Sequence, residues 1–591
     1  MRKRYEYLRS RLPRLHFRFG TALRTALAEG YSARDLRADV LAGMVVGVVA
    51  LPLSMALAIA SGVPPQYGLY TAIVAGGLIA VLGGARTSVS GPTAAFVVLL
   101  VPVSTKYGLG GLLLATLMAG CIQILMGAAR LGRLIQFIPH PVTTGFTAGI
   151  AVVIATLQIP AFAGLEIHGH AETFVERIGG IARAFPTTHW PDLAVGVLTL
   201  ALLLGWSKMT KKIPAPLAAI TIAAVGAWLL HHYQPDFNVA TIGSKFSYVV
   251  DGQTYPGIPR TPPTPALPWL FPGPGPDGQP LTLSTSLLAE LVMPALAIAM
   301  LGAIESLLCA VVADGMTGHK HDPDVELIGQ GVGNVVVPFF GGFAATGAIA
   351  RTAANIRSGG RSPVAAVAHA LFVLAAMLAL APILSHLPMA SLAALLILVA
   401  WNMSDARHFV HVLRVAPRSD MLVLLTCFLL TVIFDMVVAV TAGVMLAALL
   451  FMRRMAEMTE LRLADEDHPH LLAPLPPGVF LYEIAGPLFF GAAEKAVGAL
   501  GAIAKPNHAV ILEMSAVPVM DVTGLVALET AINRLRKTGV LTVLAGVQPQ
   551  PAKVLANAGW RDEPGHLMIC ATLPEAEMLV RLVHESSAEP N

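Results

Sequence analysis

The sequence predicts a polytopic α-helical membrane protein of fourteen apolar segments, arranged as a 7+7 inverted repeat and followed by a small cytoplasmic α/β domain. Three observations predict it. Apolar residues make up 55% of the 591-residue chain and charged residues only 13%, where an average soluble protein has about 25% charged. Basic residues gather in the short connections between apolar runs. A Ser-Gly-Pro-Thr helix start at Ser90–Thr93 interrupts apolar sequence, and a second start of the same kind recurs at Ala344-Ala-Thr-Gly-Ala-Ile-Ala-Arg351.

Residues 1–38 are Arg-rich with no apolar core before Val40, so they read as a basic cytoplasmic lead-in and not as a cleaved signal peptide. Crossing a bilayer takes about 20 residues of helix. Runs that cross or half-cross lie at 40–60, 69–84, 91–104, 110–130, 141–160, 193–206 and 214–231. A polar, Pro- and Gly-rich stretch over 232–284 separates them from seven more at 286–312, 325–340, 346–357, 364–383, 387–403, 419–435 and 437–453.

With a cytoplasmic N-terminus, the cytoplasmic loops hold Arg86, Arg130 with Arg133, Lys208 with Lys211 and Lys212, Lys320, Arg357 with Arg361, Arg407 with Arg414 and Arg418, and Arg453 with Arg454. Each obeys the positive-inside rule. An odd count per half inverts the second half, makes 232–284 periplasmic, and puts both breaks in the third span of their repeats. The transporter unit is therefore expected over 39–455, with repeats 39–231 and 285–455. A polar linker (456–477) follows, and then an α/β domain over 478–585. In that domain strands Val479–Ile484, Ala509–Met514 and Leu541–Ala545 alternate with helices Ala492–Ile503, Thr523–Lys537 and Pro551–Ala558.

Several classes are excluded. A net charge of +3 is too small and too dispersed to imply nucleic acid. The four cysteines, Cys121, Cys309, Cys427 and Cys570, have neither disulfide nor metal spacing. The loop histidines His319 and His321, and His468 and His470, lack the further ligands of a metal site. No Ser-His-Asp, Cys-His or Walker constellation is present, so no cofactor and no enzyme is expected.

The chemistry concentrates at the two breaks. Irregular backbone survives in lipid only where protein or a watery cavity satisfies it, and helix N-termini facing one cavity attract anions. In the third span Ser90 is read as N-cap with Pro92 in the first turn, so that Thr93 and the amides of Ala94 and Ala95 point at the cavity. In the tenth, Thr346 and Gly347 introduce a helix whose first amides belong to Ala348, Ile349 and Ala350. Arg351 follows near mid-membrane, where a charge is costly and marks function; the alternative is pairing with a carboxylate. Thr352 and Asn355 are read as helix contacts. Ser54 and Met55 follow Pro52 and line the opposite wall, and Tyr67 and Tyr70 are read as interface anchors.

Glu305 lies in a run with no other charge. Ionised and unpaired it would cost several kcal/mol, so a proton or a cation is expected as its partner, with a structural pairing to Arg351 as the alternative. In the C-terminal domain Asp521 caps a helix, and Thr523 sits at the same end.

Asp39, Leu41-Ala-Gly43, Pro52, Met55-Ala56, Gly62-Val-Pro-Pro-Gln-Tyr-Gly-Leu-Tyr70 and Ser88-Val-Ser-Gly-Pro-Thr93 resemble the signature of the SulP (solute carrier family 26) anion transporters. The C-terminal domain looks like their STAS domain. Within the family, Ala303–Asp314 and Pro338-Phe-Phe-Gly-Gly342 look closest to bacterial C4-dicarboxylic acid transporters. The resemblance implies a core domain of spans 1–4 and 8–11 against a gate or scaffold domain of spans 5–7 and 12–14.

It implies proton-coupled uptake of succinate, fumarate or aspartate by elevator-like alternating access, with sulfate, bicarbonate or chloride as the alternative cargo and a membrane-tethered signalling scaffold as the other reading. The substrate-binding residues so implied are Ser54, Thr93, Ala94, Ala95, Gly347, Ala348, Ile349 and Arg351, with Glu305 taking the proton. In sodium-driven members hydroxyls on spans 8 and 10 assist the acidic residue; Cys309 and Ile349 stand there, and fewer oxygens disfavour a hard cation. The resemblance further implies a homodimer in the bacterial inner membrane, in contact with lipid, with both termini and the STAS domain cytoplasmic. That domain would be regulated through Asp521 and Thr523 or through a protein partner.

Overall fold

The computed structural model describes residues 19–133, 139–167, 173–210, 213–250, 253–274, 278–434, 436–457, 460–463, 471, 473–489 and 509–588. The expected helix 492–503 and linker residues 458–459, 464–470 and 472 lie outside them. The chain divides at residue 444 into two units.

The first unit opens with α1 (Thr21–Ala28) and α2 (Ala33–Ala60). The first span starts earlier than residue 40, because Ser32 and Asp35 form a reciprocal capping box that nucleates α2 at Ala33. Helix α3 (Pro65–Leu82) follows, then strand β1 (Ser90–Gly91) and α4 (Ala94–Ala128). Helix α4 joins the expected third and fourth spans. They part at Gly108, whose φ of 65° and ψ of −167° only glycine adopts readily.

Next come α5 (His140–Ala163), α6 (Phe174–Ala184), α7 (Trp190–Met209) and α8 (Ala215–Tyr233). Helix α6 was not foreseen: with the turn after it, it is bent by 113° from α7. The 232–284 connection is partly ordered, with a hairpin of β2 (Ser247–Val250) and β3 (Gln253–Pro256) and an Ala266 N–H bonded to Phe339 O at 2.7 Å.

The second repeat comprises α9 (Thr285–Thr317), α10 (Pro323–Val336), β4 (Thr346–Gly347), α11 (Ile349–Arg357), α12 (Pro363–Leu384), α13 (Met389–Ser404), α14 (Ala406–Val415), α15 (Arg418–Ile433) and α16 (Met436–Glu457). Each of the fourteen expected runs falls on a helix or on half of one. Among the described residues nine helices are long and apolar enough to cross a membrane, α13 and α14 being taken together as one, or ten counting the bent pair; α10, α11 and α15 are shorter than a full crossing.

Packing follows a two-fold exchange between the repeats. Helix α2 packs on α12 as α9 packs on α4, and α3 packs on α12 as α10 packs on α4. Helices α5, α7, α8, α13 and α15 form their own group, with α13 against α5 and α7, and α15 against α5. The outer faces of α7 and α8 expose Leu198, Leu204, Trp228 and Leu229, as lipid-facing surfaces do.

The second unit carries a five-stranded sheet of β5 (Glu460–Leu463), β6 (Val479–Ala485), β7 (Ala509–Glu513), β8 (Leu541–Ala545) and β9 (Leu567–Cys570), in that spatial order. Strand β5 pairs antiparallel and the rest are parallel, so part of the expected linker is an edge strand. Helices α17 (Val522–Lys537), α18 (Pro549–Asn557) and α19 (Leu573–Ala588) complete the unit. One face of the sheet packs Val510, Leu512 and Leu544 with Leu528 and Ile532 of α17. The other packs Ile511 and Val543 with Ala576 and Val580 of α19.

Candidate functional site

The two breaks meet. Strands β1 and β4 form an antiparallel pair with Ser90 opposite Gly347 and Gly91 opposite Thr346, so the chain enters α4 and α11 from one shared ladder. The pairing holds residues 90–91 extended, and the residue before a proline disfavours helix. The N-cap is therefore Thr93 and not the expected Ser90, and α4 starts at Ala94. Helix α11 has Ala348 as its N-cap.

Neither start has a side-chain cap, which leaves first-turn amides of Ala94 and Ala95 on one side, and of Ile349 and Ala350 on the other, as donors open to an acceptor. Gly347 and Ala348, expected to face the anion, have their amides engaged within the break. The Gly347 amide donates to Ser306 Oγ at 3.1 Å and the Ala348 amide to Val89 O at 2.9 Å, so both serve the scaffold of the site.

Arg351 lies in the first turn of α11 and is 3% exposed. Its Nη2 donates to Pro92 O across the break, while Nε and Nη1 are buried without a partner. The guanidinium passes under Gly91, where a Cβ would lie 2.6 Å from Nη1. Among the described residues no ion pair joins Arg351 to Glu305. Glu305, on α9, instead accepts from Thr93 Oγ1 at 3.0 Å, and the Thr93 hydroxyl is thereby turned away from capping.

The Oγ atoms of Ser54 and Ser90 are buried and unpartnered. Ile349 exposes its side chain and Ala94 and Ala95 are buried. Cys309 lies between Ser88 Oγ at 3.5 Å and Thr352 Oγ1 at 3.1 Å.

A polar frame supports the ladder; the sequence pointed to Thr346, Thr352 and Asn355 in it but not to Thr71, Gln123, Ser306, Gln330 and Asn334. Ser306 Oγ donates to Gln330 Oε1 at 2.8 Å and Thr346 Oγ1 to Gly302 O at 2.9 Å. Asn334 Oδ1 accepts from Ala345 N at 2.9 Å, and its Nδ2 donates to Gln123 Oε1 at 2.9 Å. Thr71 Oγ1 accepts from Phe343 N at 2.9 Å. The Thr352 hydroxyl accepts from Val89 N and the Asn355 amide donates to Thr87 O, both at 2.9 Å. Their signal was available: each is an uncharged polar residue inside an apolar helix or break, where lipid leaves it no other partner.

In the second unit Asp521 caps α17 by accepting from Gly524 N at 2.8 Å, as expected of a capping residue, and Thr523 is exposed in the first turn.

The Sulfate permease family model matches residues 36–427 and the STAS domain model residues 470–576. The chain is 41% identical to the putative sulfate transporter YvdB of Bacillus subtilis, over 90% of this chain and 95% of that one. It is 28% identical to the bicarbonate transporter BicA of Picosynechococcus, over 85% and 87%. Murine Slc26a9, solved in an inward-facing state, shares the fold with a TM-score of 0.79 at 20% identity, covering 95% of this chain and 93% of that one. The transmembrane domain of a cyanobacterial BicA gives a TM-score of 0.57 at 26% identity, over 71% and 98%. The chain belongs to the sulfate permease family, the SulP or solute carrier 26 anion transporters, and is a multi-pass membrane transporter with a C-terminal STAS domain rather than an enzyme.

Proposed function

We propose that this protein is a secondary transporter of a small inorganic oxyanion, sulfate or bicarbonate, driven by protons. The anion would be held between the starts of α4 and α11 and carried across as spans 1–4 and 8–11 move against the remaining helices. The observation that carries the reading is the convergence of two uncapped helix starts with Arg351, whose Nε and Nη1 are buried and unpartnered. Partial positive charge from both starts and a full charge from the guanidinium favour an anion there.

The cargo differs from the C4-dicarboxylate that the resemblance implied. YvdB and BicA carry sulfate and bicarbonate in their names, and no relative named above carries a dicarboxylate in its own. Helix dipoles bind any anion, so the cargo rests on those relatives.

Proton coupling rests on Glu305. Thr93 Oγ1 is its hydrogen-bond donor, and the nearby position on the same helix is a thiol, Cys309, engaged by Ser88 and Thr352. A hard cation prefers six or more oxygens, and a proton needs one carboxylate. With Arg351 charged, the empty site is neutral when Glu305 is ionised; it is neutral again when a proton enters with bicarbonate, and carries one negative charge when a proton enters with sulfate. In a bacterium the protein would sit in the inner membrane, with both termini and the STAS domain cytoplasmic as the basic loops require.

Uptake of labelled sulfate, bicarbonate and succinate into proteoliposomes, with and without an inward proton gradient, tests the proposal. Accumulation of either inorganic anion that rises with the gradient is expected. Accumulation of succinate alone would restore the dicarboxylate reading, and uptake indifferent to the gradient would end proton coupling.

A further inference from the structure

We propose that α14 and the start of α15 form a docking strip for the headgroups of anionic phospholipids. Arg407, Val410, His411 and Arg414 are exposed at spacings of three, four and seven residues, so they share one face of α14. Arg418 is exposed just past Pro417, at the first position of α15. The opposite face of α14 sits on protein: Phe409 packs on Phe428 with ring centroids 5.4 Å apart, and His408 on His140 at 5.2 Å. Among the described residues none of the three arginines has a carboxylate partner; Asp405 precedes the helix and Asp420 follows Arg418.

Two neighbours fix what covers the strip. Trp401, near the end of α13 and 67% exposed, is an amphipathic ring of the kind that settles at the membrane–water boundary. From Arg418, the exposed Leu422, Leu425 and Leu429 continue at four, seven and eleven residues as an apolar ridge down one side of α15. A cationic strip at the head of an apolar ridge matches a lipid, with its phosphodiester on the arginines and its acyl chain along the leucines. An acidic protein would match the strip and leave the ridge unused. Helix α6, which follows span 5 as α14 follows span 12, has no such strip: Glu176 sits beside a half-buried Arg177, and the apolar Val175 and Ile178 are exposed on either side. The inference does not depend on the cargo or its coupling.

The test is native mass spectrometry of the full chain in detergent, offered equal amounts of phosphatidylglycerol and phosphatidylcholine. The native chain is expected to retain phosphatidylglycerol selectively. Selectivity should fall about fivefold for each charge removed in Arg407→Gln, Arg414→Gln and Arg418→Gln, and largely survive when the same three become lysine. A thermal midpoint unchanged in phosphatidylcholine would show that the glutamine variant folds. If the triple variant is not recovered, Arg414→Gln alone, on an exposed side chain, gives the same readout at one step. Equal retention by the native and glutamine chains would overturn the proposal. So would displacement of the lipid by inorganic phosphate, which would mean a free-phosphate site, or binding of polyglutamate with phosphatidylglycerol ignored, which would mean a protein surface.

Discussion

Thr93 Oγ1 donates to Glu305 Oε2 at 3.0 Å, joining span 3 to span 8 across 212 positions of sequence. The hydroxyl that should cap α4 is spent on the Glu305 carboxylate instead. On the proposed coupling, the occupancy of the helix start and the protonation of Glu305 would be tied through one atom: a protonated Glu305 would no longer need that donor, and Thr93 would become available to an arriving anion.

Glu305→Gln is a permanent mimic of the protonated carboxyl. It is expected to keep anion exchange between equal pools and to lose gradient-driven accumulation, which for one coupled proton amounts to about tenfold per pH unit. Exchange and net uptake, measured in the same proteoliposomes, separate the two. Retained accumulation under a proton gradient would rule out Glu305 as the coupling group.

Gly91 and Arg351 form the second such relationship. A methyl at position 91 would lie 2.6 Å from Nη1, so Gly91→Ala must displace the guanidinium or open the ladder. Gly91→Ala and Arg351→Ala are both expected to raise the anion KM by about ten- to a hundredfold, the value of one charge-assisted contact in a dry site. Arg351→Lys should be intermediate, because an ammonium keeps the charge without the fork that reaches Pro92 O. Uptake titrated with anion checks the series. An unchanged KM in Arg351→Ala would place the anion elsewhere.

The architecture was legible where it depends on local chemistry. Apolar runs and two polar breaks pointed to the long described helices and to the ladder, because hydrophobic length acts within one segment. Helices α6 and α14 were not legible, since each mixes charged and apolar residues within three turns and neither reaches bilayer length. The position of the N-cap depended on a partner strand more than 250 residues away: Ser90 looks like a cap until Gly347 pairs with it. Gln123, Gln330 and Asn334 escaped for the same reason. Gln123 lies on α4 while Gln330 and Asn334 lie one turn apart on α10, and all three become intelligible only when the ladder they hold is assembled.

Asn334 offers the stability test of that frame. It accepts from Ala345 N and donates to Gln123 Oε1, so Asn334→Leu strands two buried polar groups at about 1–3 kcal/mol each. The thermal midpoint of the purified protein is expected to fall by several degrees. Transport per folded molecule should fall with it, because Ala345 immediately precedes β4. A midpoint equal to that of the native chain would mean the frame carries no load.

The STAS domain supplies a test outside the membrane. Asp521 caps α17 through Gly524 N, and its replacement by Ala is expected to cost about 1 kcal/mol, read as faster hydrogen exchange in α17; Thr523→Ala, at an exposed position, should leave that exchange unchanged. Burial pushes the Cys570 thiol up from its ordinary range, and the carboxylates of Glu575 and Asp562 add to the effect. The folded domain therefore holds a proton that the unfolded chain gives up first. Stability from this group is complete below the ordinary thiol pKa and is lost as pH rises through the raised one. Cys570→Ala should flatten that alkaline decline, and maleimide labelling of Cys570 in the native chain should lag a free thiol at pH 8 and accelerate only at higher pH. Labelling at the free-thiol rate would show that the strand-end thiol is open to water.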